Sequence, residues 1–270
     1  DGAQSAINSW EMGLSGTLTF PQLLFPGMMK KDGLYPSSTS FRLYVDQLNR
    51  ARFFKMLAFG GSASYDYQSS ATSHHSITPF KLTYNLLQST THEFDSITKD
   101  NKALKLSLEN QFVPAMGYTY TYDDAPITTR RNHTWFQLAV SQAGNLLGAG
   151  YAIAGKKFNK EGKHLLGNKF AQFVKGTAEI RYDYKIGHNQ HLVGRMMAGA
   201  VYSYGNARVA PYSEQFYIGG ANSLRAFTIR SIGPGRYLPE KSTYSYLDQT
   251  GDLKFEANLE YRFPILGDLH

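Results

Sequence analysis

Apolar and polar residues alternate one by one over much of this chain. In the segment 174–185, for example, Ile180 and Tyr182 alternate with Glu179 and Arg181. A period of two is typical of β-strands with one apolar and one polar face. Such segments lie at about residues 7–20, 41–46, 52–68, 80–86, 118–122, 136–141, 174–185, 191–204 and 252–263. The sequence therefore predicts an all-β protein with about nine strands.

The longer predicted strands reach about ten residues or more, close to what a bilayer requires and longer than is usual in soluble sheets. Periodicity leaves the direction open, because a soluble lipocalin-like barrel turns its apolar side chains inward and a membrane barrel turns them outward. Short turns alternate with long loops, although the connection at 21–38 is long and that at 49–51 is short. Strand length and aromatic placement favour a transmembrane antiparallel β-barrel.

The composition supports a membrane barrel and narrows the function classes. Aromatic residues make up 14% of the 270 residues, as the aromatic girdles of a barrel require. The chain has no cysteine, which excludes disulfides and thiolate metal sites. The net charge of +7 is spread along the chain without a basic run, so no nucleic-acid partner is expected. We expect residues 1–270 to belong to one barrel domain.

A long connection at 205–250 has no strand period, yet its segment 212–235 is too apolar for a solvated loop. Gly219-Gly220 allows a tight turn or a close approach, and Gly233-Pro234-Gly235 marks a second turn. Between these turns, Arg225 and Phe227 present one charge and one aromatic ring. We expect this segment to fold back into the lumen of the barrel.

Other polar clusters give no sign of catalysis or of a cofactor. His74-His75 lies in a serine-rich stretch without a carboxylate at metal-ligand spacing, and we expect it to form a surface turn. Asp123-Asp124 stands before Pro126, where turn chemistry explains it. Neither a nucleophile elbow nor a metal-ligand pattern is present. The sequence therefore predicts that the protein is not an enzyme and has no cofactor or metal.

The loop and the last strand resemble the BamA/TamA superfamily of outer-membrane assembly and secretion barrels. The family's loop motif corresponds here to Leu224-Arg225-Ala226-Phe227, preceded by Gly219-Gly220, and the segment 251–264 is similar to the strand that follows. Ala226 and the ending at 231–235 look most similar to the TamL-like branch. The resemblance implies that this chain is a fragment with nine strands of a sixteen-stranded barrel and without periplasmic POTRA domains.

The resemblance also implies a contact between Arg225 and a wall carboxylate, which it places at Glu260. Glu256, on the same polar face of the last strand, is a competing partner, and a solvated Arg225 is the alternative. Arginine suits such a contact because its planar guanidinium can bind a carboxylate through two hydrogen bonds. A Cβ would be costly at Ala226 if the family's glycine has a positive φ there, so we expect a different local backbone.

The expected function follows from the resemblance. The chain would belong to an outer-membrane translocation and assembly module that inserts nascent outer-membrane or surface proteins, in the cell envelope of a Gram-negative-type organism. Its expected partners are those nascent proteins, outer-membrane lipids and a periplasm-spanning TamB-like protein. A BamA-type general insertase, a two-partner secretion pore and a passive porin-like channel remain alternatives.

Overall fold

A computed structural model describes most of the chain. The described residues are 10–24, 34–50, 53–92, 94–95, 108–127, 131–153, 155, 164–165, 168–187, 189–227, 229–233, 235–236 and 249–264. Within these residues, nine antiparallel strands form one sheet, which confirms the predicted all-β fold. In the order in which they pair, the strands are β1 (Trp10–Phe20), β2 (Ser37–Arg50), β3 (Phe54–Gln68), β4 (Ser73–Thr90), β5 (Gln111–Asp123), β6 (His133–Ala143), β9 (Phe173–Gly187), β10 (Gln190–Ser203) and β11 (Leu253–Arg262).

The strands follow the alternation but often extend beyond it. Strand β4 begins at Ser73 rather than near Phe80, so the prediction that His74 and His75 form a surface turn is wrong. They are consecutive strand residues and pair with Thr121 and Tyr120 of β5. The pattern hid this half of β4 because the pairing register shifts between Thr78 and Lys81, around a proline that has no N–H to donate.

The connection between β6 and β9 contains structure that the sequence did not predict. Helix α1 spans Asn145–Ile153, and two short strands, β7 (His164–Leu165) and β8 (Asn168–Lys169), pair with each other. Gly144 precedes the helix at a φ of 72°, a left-handed conformation that glycine adopts without strain. Within the described residues, no helix is long and apolar enough to span a membrane.

The exposure of the side chains settles which face of the sheet is turned outward. Leu259 of β11 is 75% exposed, whereas Glu256, on the opposite face of the same strand, is only 5% exposed. Exposed apolar side chains continue along the outward face of the sheet and include Leu14, Leu43, Phe80, Leu138, Ile180 and Met196. An apolar face that is open to the surroundings fits a membrane barrel and not a lipocalin-like one, which turns that face inward.

The two ends of the sheet differ in the length of their connections. One end has the connections after β4, β6 and β10, at 91–110, 144–172 and 204–252, together with the short turn at 51–53. The other end has the turns at 69–72 and 188–189 and the connections at 21–36 and 124–132. The three longest connections all lie at the first end, and long loops on one side of the sheet are typical of outer-membrane barrels.

Most of the buried apolar residues lie at the end with the long connections. One cluster packs Tyr212, from the connection after β10, against Phe54 of β3 and its neighbours Phe53, Phe94 and Leu108. A second cluster packs Phe216 against Val201 of β10 and includes Val113, Ala143, Ala171, Phe173 and Ala210. The long connection after β10 therefore contributes to both clusters. It packs against β3 in one cluster and against β10 in the other.

Candidate functional site: a loop on the polar face of the sheet

The connection between β10 and β11 lies against the polar face of the last three strands. Phe216 and Gly251 bind each other through two backbone hydrogen bonds, each 2.9 Å long. The ring of Phe216 lies over Gly199 of β10, where an added Cβ would be only 2.6 Å from two ring atoms. Only a glycine at position 199 leaves room for this ring. We call residues 204–252 the inserted loop.

A charged contact fixes the same part of the inserted loop to β9. Lys175 Nζ lies 3.0 Å from Glu214 Oε2, and both side chains are 21% exposed. The same ammonium group is 5.1 Å from the centroid of the Phe216 ring, within the range of a cation–π interaction. The base of the inserted loop is thus held by β9, β10 and the segment that leads into β11.

The tip of the inserted loop is a compact turn. Gly219 and Gly220 have φ angles of 100° and 93°, which L-residues with a Cβ rarely adopt. The N–H of Gly220 donates to the carbonyl of Phe227 at 2.9 Å, and the N–H of Arg230 donates to that of Ile218, also at 2.9 Å. These bonds close residues 218–230 into a lobe, which we call the tip lobe.

A group of charged side chains on the polar face lies beneath the tip lobe. Arg195 of β10 binds Glu179 of β9 through two hydrogen bonds, from Nε to Oε1 at 2.7 Å and from Nη2 to Oε2 at 3.2 Å. Its Nη1 also donates to Glu256 Oε1 of β11 at 2.7 Å. Arg195 therefore joins all three strands, and we call Glu179, Arg195 and Glu256 the wall network. Arg181 and Lys254 add positive charge at its two sides.

The tip lobe binds the wall network directly. Ser223 Oγ donates to Glu256 Oε2 at 2.6 Å, and the carbonyl oxygen of Asn222 accepts from Arg195 Nη1 at 3.3 Å. The Glu256 side chain is 4% exposed and the Arg195 side chain 21%. Hydrogen bonds to charged groups in so covered a position are each worth about 1.5–3 kcal/mol. These contacts hold the lobe on the wall.

The residues that the sequence singled out have a different arrangement from the expected one. Arg225, Ala226 and Phe227 are exposed and Leu224 is half-buried, although Arg225 lies near enough to attract Glu260 electrostatically. Within the part of the chain that the structure describes, no ion pair of 4.0 Å or less joins Arg225 to Glu260 or Glu256. Glu260 instead lies 3.1 Å from Arg262 Nε.

The remaining predicted positions concern the backbone. Gly233 and Gly235 have positive φ angles of 98° and 56°, as turn glycines do, while Pro234 lies outside the described residues. Ala226 is not among the described residues with a positive φ, so its Cβ causes no backbone strain. In the tip lobe the left-handed non-glycine residue is Arg230, with a φ of 62°.

Sequence reasoning missed Arg195, Glu179, Asn222 and Ser223. A signal for the first two was present, because the tight turn between β9 and β10 sets their register and places Arg195 on the same face as Glu179. No comparable signal exists for Asn222 and Ser223, since a long loop has no register. The arrangement holds a loop against three strands; among the described residues, no cluster of three or more histidines and carboxylates could hold a metal ion.

Comparison with known proteins agrees with the strand pattern and the loop. The Omp85 superfamily domain matches residues 26–269. Over 115 residues the chain is 35% identical to the outer membrane protein assembly factor BamA of Nitratidesulfovibrio vulgaris (strain Hildenborough). That match covers 42% of this chain and 13% of the length of that relative. The open apolar face, the covered polar face and the match over almost all of its length show that this chain belongs to the Omp85 superfamily.

Proposed function

We propose that this chain is the barrel part of an outer-membrane protein assembly translocase, in which the inserted loop braces the wall from the lumen. Membership of the Omp85 superfamily and similarity to a protein named as an outer-membrane assembly factor support this function. Its substrates would be nascent outer-membrane proteins, its apolar face would contact outer-membrane lipids, and no residue would act as a catalyst.

The bracing role rests on one observation: the wall network binds the tip lobe through hydrogen bonds. Arg195 and Glu256 belong to neighbouring strands, and each also bonds to the lobe, through Asn222 and Ser223. Nearer the start of the inserted loop, Tyr212 packs on Phe54 of β3, six places from β11 in the sheet order. A loop attached to such distant strands resists changes in the curvature of the wall between them.

Two variants of the assembly function are open to test. The ending of the tip segment favours a TamL-like translocase that works with a TamB-like partner across the periplasm. The similarity to BamA favours a general insertase as the second candidate. Co-purification of the full-length protein with a periplasm-spanning partner supports the first variant, and co-purification with outer-membrane lipoproteins supports the second.

The experiment that tests the function compares Arg195→Ala with Arg208→Ala in the full-length protein. Arg208 is an exposed arginine of the same inserted loop and serves as the matched control. Removal of Arg195 leaves Glu179 and Glu256 without their shared counter-ion and frees the Asn222 carbonyl. We expect Arg195→Ala to lower the yield of folded substrate barrels, measured by heat-modifiable migration on gels, and to raise conductance in planar bilayers.

The control variant should equal the wild type in both measurements. Wild-type assembly by Arg195→Ala would contradict the bracing role. A wild-type protein that conducts steadily and a depletion that leaves substrate assembly unchanged would instead support a passive channel.

A further inference from the structure

Arg230 has a backbone conformation that is unusual for an arginine. Its φ of 62° is left-handed, and Asn189 in the turn between β9 and β10 is the other non-glycine residue with a positive φ in the described ranges. Asparagine tolerates this conformation well, whereas a long side chain adopts it rarely. Such a conformation persists only where surrounding contacts maintain it, and it marks positions with a specific role.

The side chain of Arg230 contacts two tyrosine rings. The guanidinium carbon is 4.4 Å from the ring centroid of Tyr212 and 4.4 Å from that of Tyr217. Planar guanidinium groups stack well on aromatic faces, and the attraction grows as water is removed. Among the described residues, the buried Arg230 Nε has no hydrogen-bond partner, so the two rings hold this end of the side chain.

The positions of the two rings show which parts of the loop this stack joins. Both tyrosines precede the tip lobe, Tyr217 directly, and Arg230 is its last residue. Tyr212 is 3% exposed and packs edge-on against Phe54 of β3 at a centroid distance of 6.3 Å. The stack therefore joins the two ends of the lobe and connects both to the buried cluster of β3.

Backbone bonds and packing extend this closure into the lobe. Arg230 N–H donates to Ile218 at 2.9 Å, next to the bond from Gly220 to Phe227. The side chain of Ile229 covers Gly220 so closely that an added Cβ would be 2.8 Å from it. The residues that bind the wall network lie inside this closed segment.

We propose that Arg230 is the positioning residue of the tip lobe: its stack between Tyr212 and Tyr217 closes the lobe and presents Asn222 and Ser223 to the wall network. This inference rests on the proposed bracing function and assigns to Arg230 the positioning that the sequence led us to expect of Arg225. Arg225 is exposed, and its side chain does not contribute to the closure.

Hydrogen exchange followed by mass spectrometry, on the full-length protein in nanodiscs, tests the closure directly. We expect Arg230→Asn to speed exchange in peptides that cover 218–230 at least about tenfold, with no change in peptides from β9. Asparagine accepts the left-handed backbone, so the variant removes the stack without adding strain. Arg230→Lys keeps the charge but not the planar group and should give an intermediate rate. Arg208→Asn is the matched control and should exchange at the wild-type rate.

The tyrosine variants separate a specific stack from general packing. Tyr217→Phe retains an aromatic face and should exchange like the wild type, whereas Tyr217→Leu should exchange as fast as Arg230→Asn. The double variant Tyr217→Leu/Arg230→Asn should exchange no faster than either single variant, because both remove the same contact. Wild-type exchange in Arg230→Asn, equal effects of Phe and Leu at Tyr217, or additive effects in the double variant would overturn the proposal.

Substrate assembly measured on the same variants separates this inference from the function on which it rests. Faster exchange in 218–230 together with wild-type assembly would support the role of Arg230 in closing the lobe and contradict the bracing function. Slower assembly with unchanged exchange would overturn the role of Arg230.

Discussion

Two parts of the same wall differ in what covers them. The wall network of Glu179, Arg195 and Glu256 lies beneath the tip lobe, where these side chains are 14%, 21% and 4% exposed. Farther along β11, toward the end of the sheet with the short turns, Glu260 pairs with Arg262, and their side chains are 48% and 51% exposed. Both parts are charged and belong to the same polar face.

Glu256 and Glu260 have the same carboxylate group, so the chemistry of the side chain does not decide which of them holds the loop. Glu256 and Glu260 lie on one face of β11, but only Glu256 accepts hydrogen bonds from a neighbouring strand and from the tip lobe. Ion pairs exposed to water contribute little, while covered charges that bond to several partners contribute much more. The position of the lobe along the wall therefore selects the carboxylate that binds it.

The largest expected effect comes from Glu256→Gln, with Glu260→Gln as its matched control. The Glu256 change removes a charge that Arg195, Lys254 and Ser223 share, and we expect docking of the tip lobe to weaken by about 2 kcal/mol, or roughly 30-fold. Limited proteolysis within 213–236 in nanodiscs measures the fraction of undocked loop. Equal cleavage of the two variants would show that Glu256 holds the loop no better than Glu260 does.

A smaller effect is expected from Gly199→Val, which acts on the covered part by shape instead of charge. The added side chain would collide with the Phe216 ring, and we expect a cost of about 1 kcal/mol, at the low end of the usual range for overpacking. Hydrogen exchange at the mutually bonded amides of Phe216 and Gly251 should become faster. Gly194→Val on the outer face of β10 is the control, because its nearest neighbour is a Leu259 methyl 4.0 Å away. Equal exchange in both variants would contradict the seating of Phe216 on Gly199.

The smallest expected effect on docking comes from Arg225→Ala. Its guanidinium is exposed and attracts Glu260 only from beyond ion-pair distance, so we expect less than a twofold change in proteolysis of the loop. Substrate assembly measured on the same variant shows whether Arg225 serves the function in another way. If Arg225→Ala released the loop as much as Glu256→Gln does, the loop would be held by the direct Arg225–Glu260 contact that the resemblance implies.

The fold was predictable from the sequence because a period of two persists wherever one face of a strand is apolar. The predicted strands were too short where a proline interrupts the alternation, as at Pro79 in β4 and Pro114 in β5. The chain lacks an N–H at these positions, and the pattern is broken there. The helix at 145–153 escaped prediction since its residues are nearly all apolar and show no clear helical period.

The candidate site was predictable only in part. The glycines of the tip and its general location on the polar face followed from the sequence, because backbone conformation and alternation are local properties. The pairing of Arg195 with Glu179 depends on strand register, which the tight turn between β9 and β10 determines. The contacts of the wall network with the tip lobe depend on where a long loop meets the sheet, and no local sequence feature determines that position. The contacts of Ser223 and Arg230 therefore needed the structure.

Thiol cross-linking of two cysteine pairs tests the central claim that the tip lobe lies on the covered polar face. The chain has no cysteine of its own, and Asn222 and Asn258 both lie within 3.4 Å of Arg195 Nη1. Asn222→Cys with Asn258→Cys should join readily through a short bifunctional reagent in the outer membrane. Asn222→Cys with Leu259→Cys, one residue farther along but on the opposite face, should not. Equal or reversed yields would show that the tip lobe does not lie on the polar face.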